Sequence, residues 1–205
     1  MHLDPSQETL MGVTVGALLA SVGGLLAGRI EQRLRRIERE QSAALLFGEI
    51  LAALKLIIRL ANDARGRGDP YGPITMRILR AAQRETQIYD RNRETLFDLG
   101  DAALRAETHL LLLQISLTMD AIFEAAQTVS ENAPDEDTPP AERAPAKARF
   151  VAAVEGRDSS FDFLVELHGL IAPLLSKYQA IARQRFDAHD TVVQQTLRPR
   201  PSDTG

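Results

Sequence analysis

Apolar positions along this chain form one unbroken run followed by several periodic stretches. The run covers residues 10–28, nineteen positions in which Thr14 and Ser21 are the polar side chains. Both can return their hydroxyl to a preceding carbonyl inside a helix. As a helix the run would be roughly 28 Å long, close to the hydrocarbon thickness of a bilayer. A transmembrane helix is therefore expected at 10–28, a buried or peripheral amphipathic helix being the alternative.

The helix is expected to continue past that run, because residues 29–65 contain no proline. Phe47, Leu51, Leu54, Ile58 and Ala61 recur at steps of four and three, beside a second row of Leu46, Ile50, Ala53, Ile57 and Leu60. Two adjacent rows make a stripe wider than a two-stranded seam needs, so it predicts burial in a bundle. Three glycines and two prolines in "RGRGDPYGP" end the helix at 65–73. A shorter helix follows, with Pro73 near its first turn and Ile74, Ile78 and Ala82 on one face. After a turn region, Asp101 is a candidate N-cap. It leads into a helix whose row is Thr108, Leu112, Ile115, Met119, Ile122, Ala126 and Val129.

Prolines and acids at 132–146 predict a linker. A last helix at 147–196 carries Leu164, Leu167, Ile171, Leu174, Tyr178 and Ile181, and Pro173 is expected to kink or divide it. Residues 1–9 and 197–205 read as tails. The expected fold class is all-α: an N-terminal transmembrane helix (10–28) continuing into an antiparallel helical bundle or coiled-coil-like domain. That domain comprises a juxtamembrane helix and hairpin at 29–131, with the C-terminal helix packed on them. In such a hairpin Lys55 and Arg59 could face Asp120 and Glu124, or each pair could be solvated separately.

Composition strengthens the helical reading. Ala, Leu, Arg, Glu and Gln dominate, aromatics are 5% and there is no Trp. The absence of Cys excludes disulfides and thiolate chemistry. Charge is unevenly spread within the net −4: residues 29–68 hold nine bases and five acids, whereas 69–205 hold fifteen bases and twenty-one acids. Arg29, Arg33, Arg35, Arg36 and Arg39 form a collar directly after the apolar run. Positive charge after the run, with Asp4 and Glu8 before it, argues for an uncleaved anchor over a signal peptide. It also places the collar and everything beyond it in the cytoplasm, with the N-terminus outside the bacterial inner (plasma) membrane. An acidic remainder does not suit a nucleic-acid partner.

Gly12, Gly16, Ala20, Gly24 and Gly28 stand at four-residue steps, and the series continues as Gln32 and Arg36. Such a ridge lets helix backbones approach in lipid. It predicts a homo-oligomer or another membrane protein as partner beside the bilayer itself, although Gly and Ala are also simply common in membrane helices.

Reaction chemistry is not evident. The histidines at 2, 109, 168 and 189 include no Glu-x-x-His pair and no His-Glu-x-x-His motif. Asp187 and His189, two apart, would diverge on a helix. The glycines at 66, 68 and 72 match no phosphate loop, and no nucleophile stands near a base in a recognisable pattern. No catalytic residue, cofactor or metal is expected, and the chain does not read as an enzyme.

The succession of apolar run, Arg-rich collar, "LFGEILAALKLI" and "YDRNRETLFDLGDAALRAETHLLLL" resembles a group of small, uncharacterised bacterial single-pass membrane proteins with a helical cytoplasmic domain. The resemblance rests on Glu49-Ile50 in the aliphatic helix, the Tyr-Asp turn, and Leu96 to Gly100 opening the next helix. It covers about residues 10–125 and implies architecture without an activity. A membrane-anchored scaffold, adaptor or regulator is the resulting expectation. A sensor binding a small ligand between helices near Tyr89, His109 or Tyr178 is the alternative, and an envelope protein of opposite orientation a third.

Overall fold

The computed structural model describes the backbone of residues 5–68, 70–133 and 140–186, and the side chains at 24, 27–68, 70–133 and 143–186. These residues form α1 (Pro5–Gly66), α2 (Pro73–Arg91), a 3-10 turn (Arg93–Asp98), α3 (Ala102–Glu131) and α4 (Pro140–Ala182). The all-helical bundle expected from periodicity is thus present.

Helix α1 is continuous over 62 residues, about 93 Å at the standard rise. It contains the run at 10–28 as helix. The side chains of that run, apart from positions 24, 27 and 28, lie outside the described residues. Positions 29–39 are all exposed, and burial begins in earnest at Ala43. An exposed stalk of about 16 Å, residues 29–39, therefore lies between the apolar run and the first bundle contact at Glu40.

Below the stalk, α1 packs between α2 and α4, and α3 packs on α4 and less extensively on α2. Contacts at the two ends fix the directions. Gly100, just before α3, donates its N–H to Glu40 Oε1 at 2.8 Å at the stalk end. Arg65, at the far end of α1, pairs with Asp162 near the middle of α4 at 2.5 Å. Lys177, near the end of α4, reaches back to Glu107 in the first turns of α3 at 2.5 Å. Helices α1 and α3 thus run away from the stalk and α2 and α4 run back toward it. Such an up-down-up-down order needs only short connections between neighbours.

Both predicted rows of α1 face inward. Phe47, Leu51, Leu54, Ile58 and Ala61 are fully buried, and the second row is buried at Ile50 and half-buried at Leu46, Ala53, Ile57 and Leu60. On α3 the predicted face is buried from Thr108 to Ile122, and Asp101 caps the helix by accepting from the N–H groups of Ala103 (2.8 Å) and Leu104 (3.1 Å). On α4, Phe161, Leu164, Leu167, Ile171, Leu174 and Tyr178 are buried.

Several expectations are corrected. The buried face of α2 is Thr75, Leu79, Ala82, Thr86 and Tyr89, whereas Ile74 is 63% exposed. Thr86 turns its hydroxyl onto the Gln83 carbonyl at 2.8 Å, so its methyl can enter the core. Of the two arrangements open for Lys55 and Arg59 against Asp120 and Glu124, facing or lying apart, the second is found. The charges of Lys55 and Arg59 act on His168 of α4, while Asp120 accepts from Gln83 of α2 at 2.8 Å. This follows from α1 and α3 lying diagonally across the bundle.

Helix α4 begins at Pro140, inside the expected 132–146 linker, because proline is compatible with a first helical turn. It passes through Pro173 as one helix, with that proline on the solvent face and core residues on either side. It ends at Ala182, where Arg183 takes a left-handed backbone (φ 54°) that stops the helix; residues 187–196 of the expected helix lie outside the described residues. Likewise α1 starts at Pro5, within the expected 1–9 tail. Residues 134–139 of the linker and the 197–205 tail lie outside the described residues.

Among the described residues, α3 is the one helix long and apolar enough to cross a membrane, and a third of its most apolar window is buried in the bundle.

Phe47→Ala is expected to lower unfolding stability by about 3–5 kcal/mol, as for other deletions of a buried aromatic ring. Ile74→Ala should change it by no more than about 0.5 kcal/mol. Chemical unfolding followed by circular dichroism checks both. Similar losses at the two positions would refute this helix register.

Candidate functional site

Three regions gather the residues from which function can be argued. The first is the buried polar cluster around Phe47. Its ring sits edge-on to Tyr89 (centroids 6.1 Å apart) and tilted against Tyr178 (6.3 Å). The Tyr89 hydroxyl lies 2.6 Å from Nδ1 of His109, and Arg93 Nη2 approaches Nε2 of the same ring at 3.4 Å. Guanidinium nitrogens only donate. An Arg93 bond therefore leaves Nδ1 to carry the ring proton toward Tyr89. Tyr178 and Thr108 share a buried hydroxyl–hydroxyl bond of 2.7 Å. Burial pushes the Tyr178 phenol up, against the opposing bond to Thr108. Burial also raises Tyr89, with Arg93 opposing it.

Tyr89, His109 and Tyr178, singled out from sequence as candidate ligand contacts, are thus brought to one region. Their polar atoms are satisfied by one another and by Thr108 and Arg93, which suits locking the four helices in register.

The second region is at the far end of the bundle. Arg157 stacks 3.6 Å from the Tyr71 ring centroid, and Arg65 lies 4.6 Å from that of Phe161. Tyr71 and Phe161 meet edge to face at 6.0 Å. Burial, reinforced by Asp158, pushes the Tyr71 phenol up to about 12. These contacts fasten the α1–α2 turn to α4. Nearby, His168 has a buried Nε2 with no hydrogen-bond partner among the described residues. Its pKa is lowered, first by burial and then by the charge of Lys55, with Arg59 adding to the effect. The Lys55 backbone opposes the shift with a hydrogen bond.

The third region is the junction of stalk and bundle. Arg36, Arg39, Phe97, Asp98, Leu99, Gly100 and Arg105 line an open cleft of about 430 Å³. Phe97 is 78% exposed there. Arg105 Nη1 donates to the Leu99 carbonyl, which fixes the loop. A Cβ at Gly100 would stand 2.8 Å from Glu40 Oε1, so this position has no room beside the Glu40 bond. Neither the Glu40–Gly100 clasp nor Phe97 is marked by the sequence pattern, since the segment that brings them together reads as a turn.

The five collar arginines are all exposed. Arg35 pairs with Glu31 at 2.5 Å and Arg39 bonds the Arg35 carbonyl at 3.4 Å. Of the small-residue ridge, Gly12, Gly16 and Ala20 lie in α1 with their side-chain surroundings outside the described residues. At Gly24 and Gly28 an added Cβ would meet nothing within 4 Å. Among the described residues no group of three His, Asp or Glu stands close enough to hold a metal. Comparison of the chain with known protein families, curated proteins and solved structures gives no match.

The lowered His168 pKa sets a sign for pH. The unfolded chain takes this proton first, near the ordinary value of about 6.5. Stability is therefore full above that value and falls as the pH drops through it toward the folded pKa. The urea midpoint should fall between pH 7.5 and 5.5, and by less in His168→Gln. An identical fall in both proteins would contradict the assignment.

Proposed function

We propose that this chain is a helical scaffold or adaptor anchored in the bacterial inner (plasma) membrane by residues 10–28. The bundle lies on the cytoplasmic side and acts through helix–helix contacts, with no catalytic step. The observation that carries this reading is the continuity of α1. One helix contains the nineteen-residue apolar run, the exposed arginine collar and the central strip of the bundle core. An apolar run of that length followed at once by five arginines is the pattern of a span with its positive flank inside.

The surface of the bundle supports the adaptor part. Leu110, Leu113 and Leu117 on the outer side of α3 are 56%, 42% and 59% exposed, spaced as a single row. Large apolar side chains in a row on a helix surface mark a contact face. The arginine-lined cleft beside the stalk has the charge to meet anionic headgroups close to the membrane surface. The hydroxyls and imidazole around Phe47 are turned on one another, which favours a structural role for them over ligand sensing.

The full-length chain is expected in the membrane pellet after an alkaline wash, and a reporter fused at Gly205 should give a cytoplasmic signal. A chain recovered in the supernatant without detergent would contradict the anchor. Within the span, Gly16→Ile with Gly24→Ile should weaken dimers in a membrane association assay. An unchanged dimer signal would remove the ridge from the mechanism. Leu113→Asp with Leu117→Asp should cost about 1–2 kcal/mol of unfolding stability, well below the loss at Phe47→Ala, while reducing the proteins captured by crosslinking in membranes. A capture pattern identical to the parent's would rule out this face.

A further inference from the structure

The stalk carries an apolar stripe that no other described residue covers. Ile30, Leu34 and Ile37 are 61%, 55% and 41% exposed, and their spacing of four and three is that of heptad positions d, a and d. Followed along the sequence toward the N-terminus, the same positions hold Ala27, Gly23, Ala20 and Gly16, all of them small. Toward the bundle they reach Gln41 and then Ala44, which is already buried in the core. The large members of the stripe therefore fall on the exposed length of α1, with Ile37 at its end beside the loop that meets Arg36, Arg39 and Glu40.

We infer that this stripe is a parallel coiled-coil seam with a second copy of the same chain. Charge complementarity selects that partner. With Leu34 at position a, Arg33 falls at g and Glu38 at e, five residues later. In a parallel pair, g of one helix meets the following e of the other, so Arg33 of each copy faces Glu38 of its partner, twice by symmetry. Both side chains are exposed. Neighbouring charges are engaged within the chain: Glu31 by Arg35, and Glu40 by the Gly100 N–H. Arg33 and Glu38 have no such partner among the described residues.

An exposed ion pair contributes little energy, so the apolar seam supplies the attraction and the pair sets orientation and register. The seam is short for an isolated coiled coil. Anchoring both copies in one bilayer raises their effective concentration and offsets this. The inference rests on the anchored, self-associating reading above and deepens it at a site distinct from the glycine ridge. The two rows share Gly16 and Ala20 and then diverge, since the ridge steps by four and the seam alternates four and three.

The chain contains no cysteine, so single substitutions report cleanly in native membranes. Ile30→Cys and Ile37→Cys should crosslink to dimers with a short thiol reagent, while Gln32→Cys and Arg39→Cys, on the outer face, should not. Arg33→Glu and Glu38→Arg should each lower the dimer yield at Ile37→Cys by about fivefold through like-charge contacts. The double charge swap should restore it. These positions lie outside the bundle core, so helix content should stay unchanged.

Crosslinks at 30 and 37 should persist in a Gly12→Ile, Gly24→Ile chain, whose two positions belong to the ridge and not to the seam, which tells loss of the ridge from loss of the seam. Their disappearance there would overturn an independent seam. Equal crosslinking at inner and outer positions would overturn it too, as would a double swap that fails to rescue. A graded effect, weaker for Arg33→Glu and stronger for Glu38→Arg with intermediate behaviour of the double, would assign the stalk to anionic lipid and also overturn the seam.

Discussion

One unbroken hydrogen-bond ladder runs from Pro5 to Gly66, and everything else in this molecule is arranged along it. No proline interrupts the helix after its first residue, and its interior glycines leave it helical. The same rod is apolar at one end, charged and bare in the middle, and nearly engulfed at the other. A continuous helix can transmit position and rotation along its length, which would couple the apolar run to the bundle. Short helices joined by loops would not couple them in this way.

Packing around Phe47 gives the bundle a single register. The ring is fully buried against two tyrosines from helices on opposite sides of α1. Each tyrosine ends in a hydrogen bond to adjacent residues of α3, Tyr89 to His109 and Tyr178 to Thr108. A slip of either helix would strand a buried hydroxyl, at a cost of about 1–3 kcal/mol. Apolar contact alone would tolerate such a slip more readily. At the far end, the stacked arginines on Tyr71 and Phe161 hold the α1–α2 turn against α4. At the near end, Glu40 holds the loop before α3.

Much of this was legible in the pattern of apolar residues. The two inward rows of α1, the buried face of α3 with its Asp101 cap, and the row on α4 follow from spacing alone. The face of α2 followed only in part, at Ala82 and Ile78 but not at Ile74. Its threonines read as polar, yet Thr75 and Thr86 are buried, and the Thr86 hydroxyl is satisfied within its own helix. Charge pairing between helices was also out of reach, since Asp120 could find its partner only once the diagonal position of α1 and α3 was known. The end of α4 depends on a left-handed residue, Arg183, at a position with no glycine to announce it. Beyond that end Phe186 folds back over Gly48, a glycine that looks ordinary in sequence but leaves its space to that ring. At the stalk, the ridge and the arginine collar were visible from spacing, whereas the bareness of Ile30, Leu34 and Ile37 required the positions of the other helices.

Mechanical coupling of the apolar run to the core requires α1 to behave as one rigid rod. Spin labels at Ala27→Cys and Asn62→Cys, both exposed positions, test this in full-length chains diluted with unlabelled protein in lipid bilayers. An unbroken helix places them about 52 Å apart, and a single narrow distance distribution near that value is expected from electron–electron dipolar spectroscopy. A broad distribution, or one centred well below it, would mean that the stalk bends and that the apolar run and the bundle are not mechanically joined.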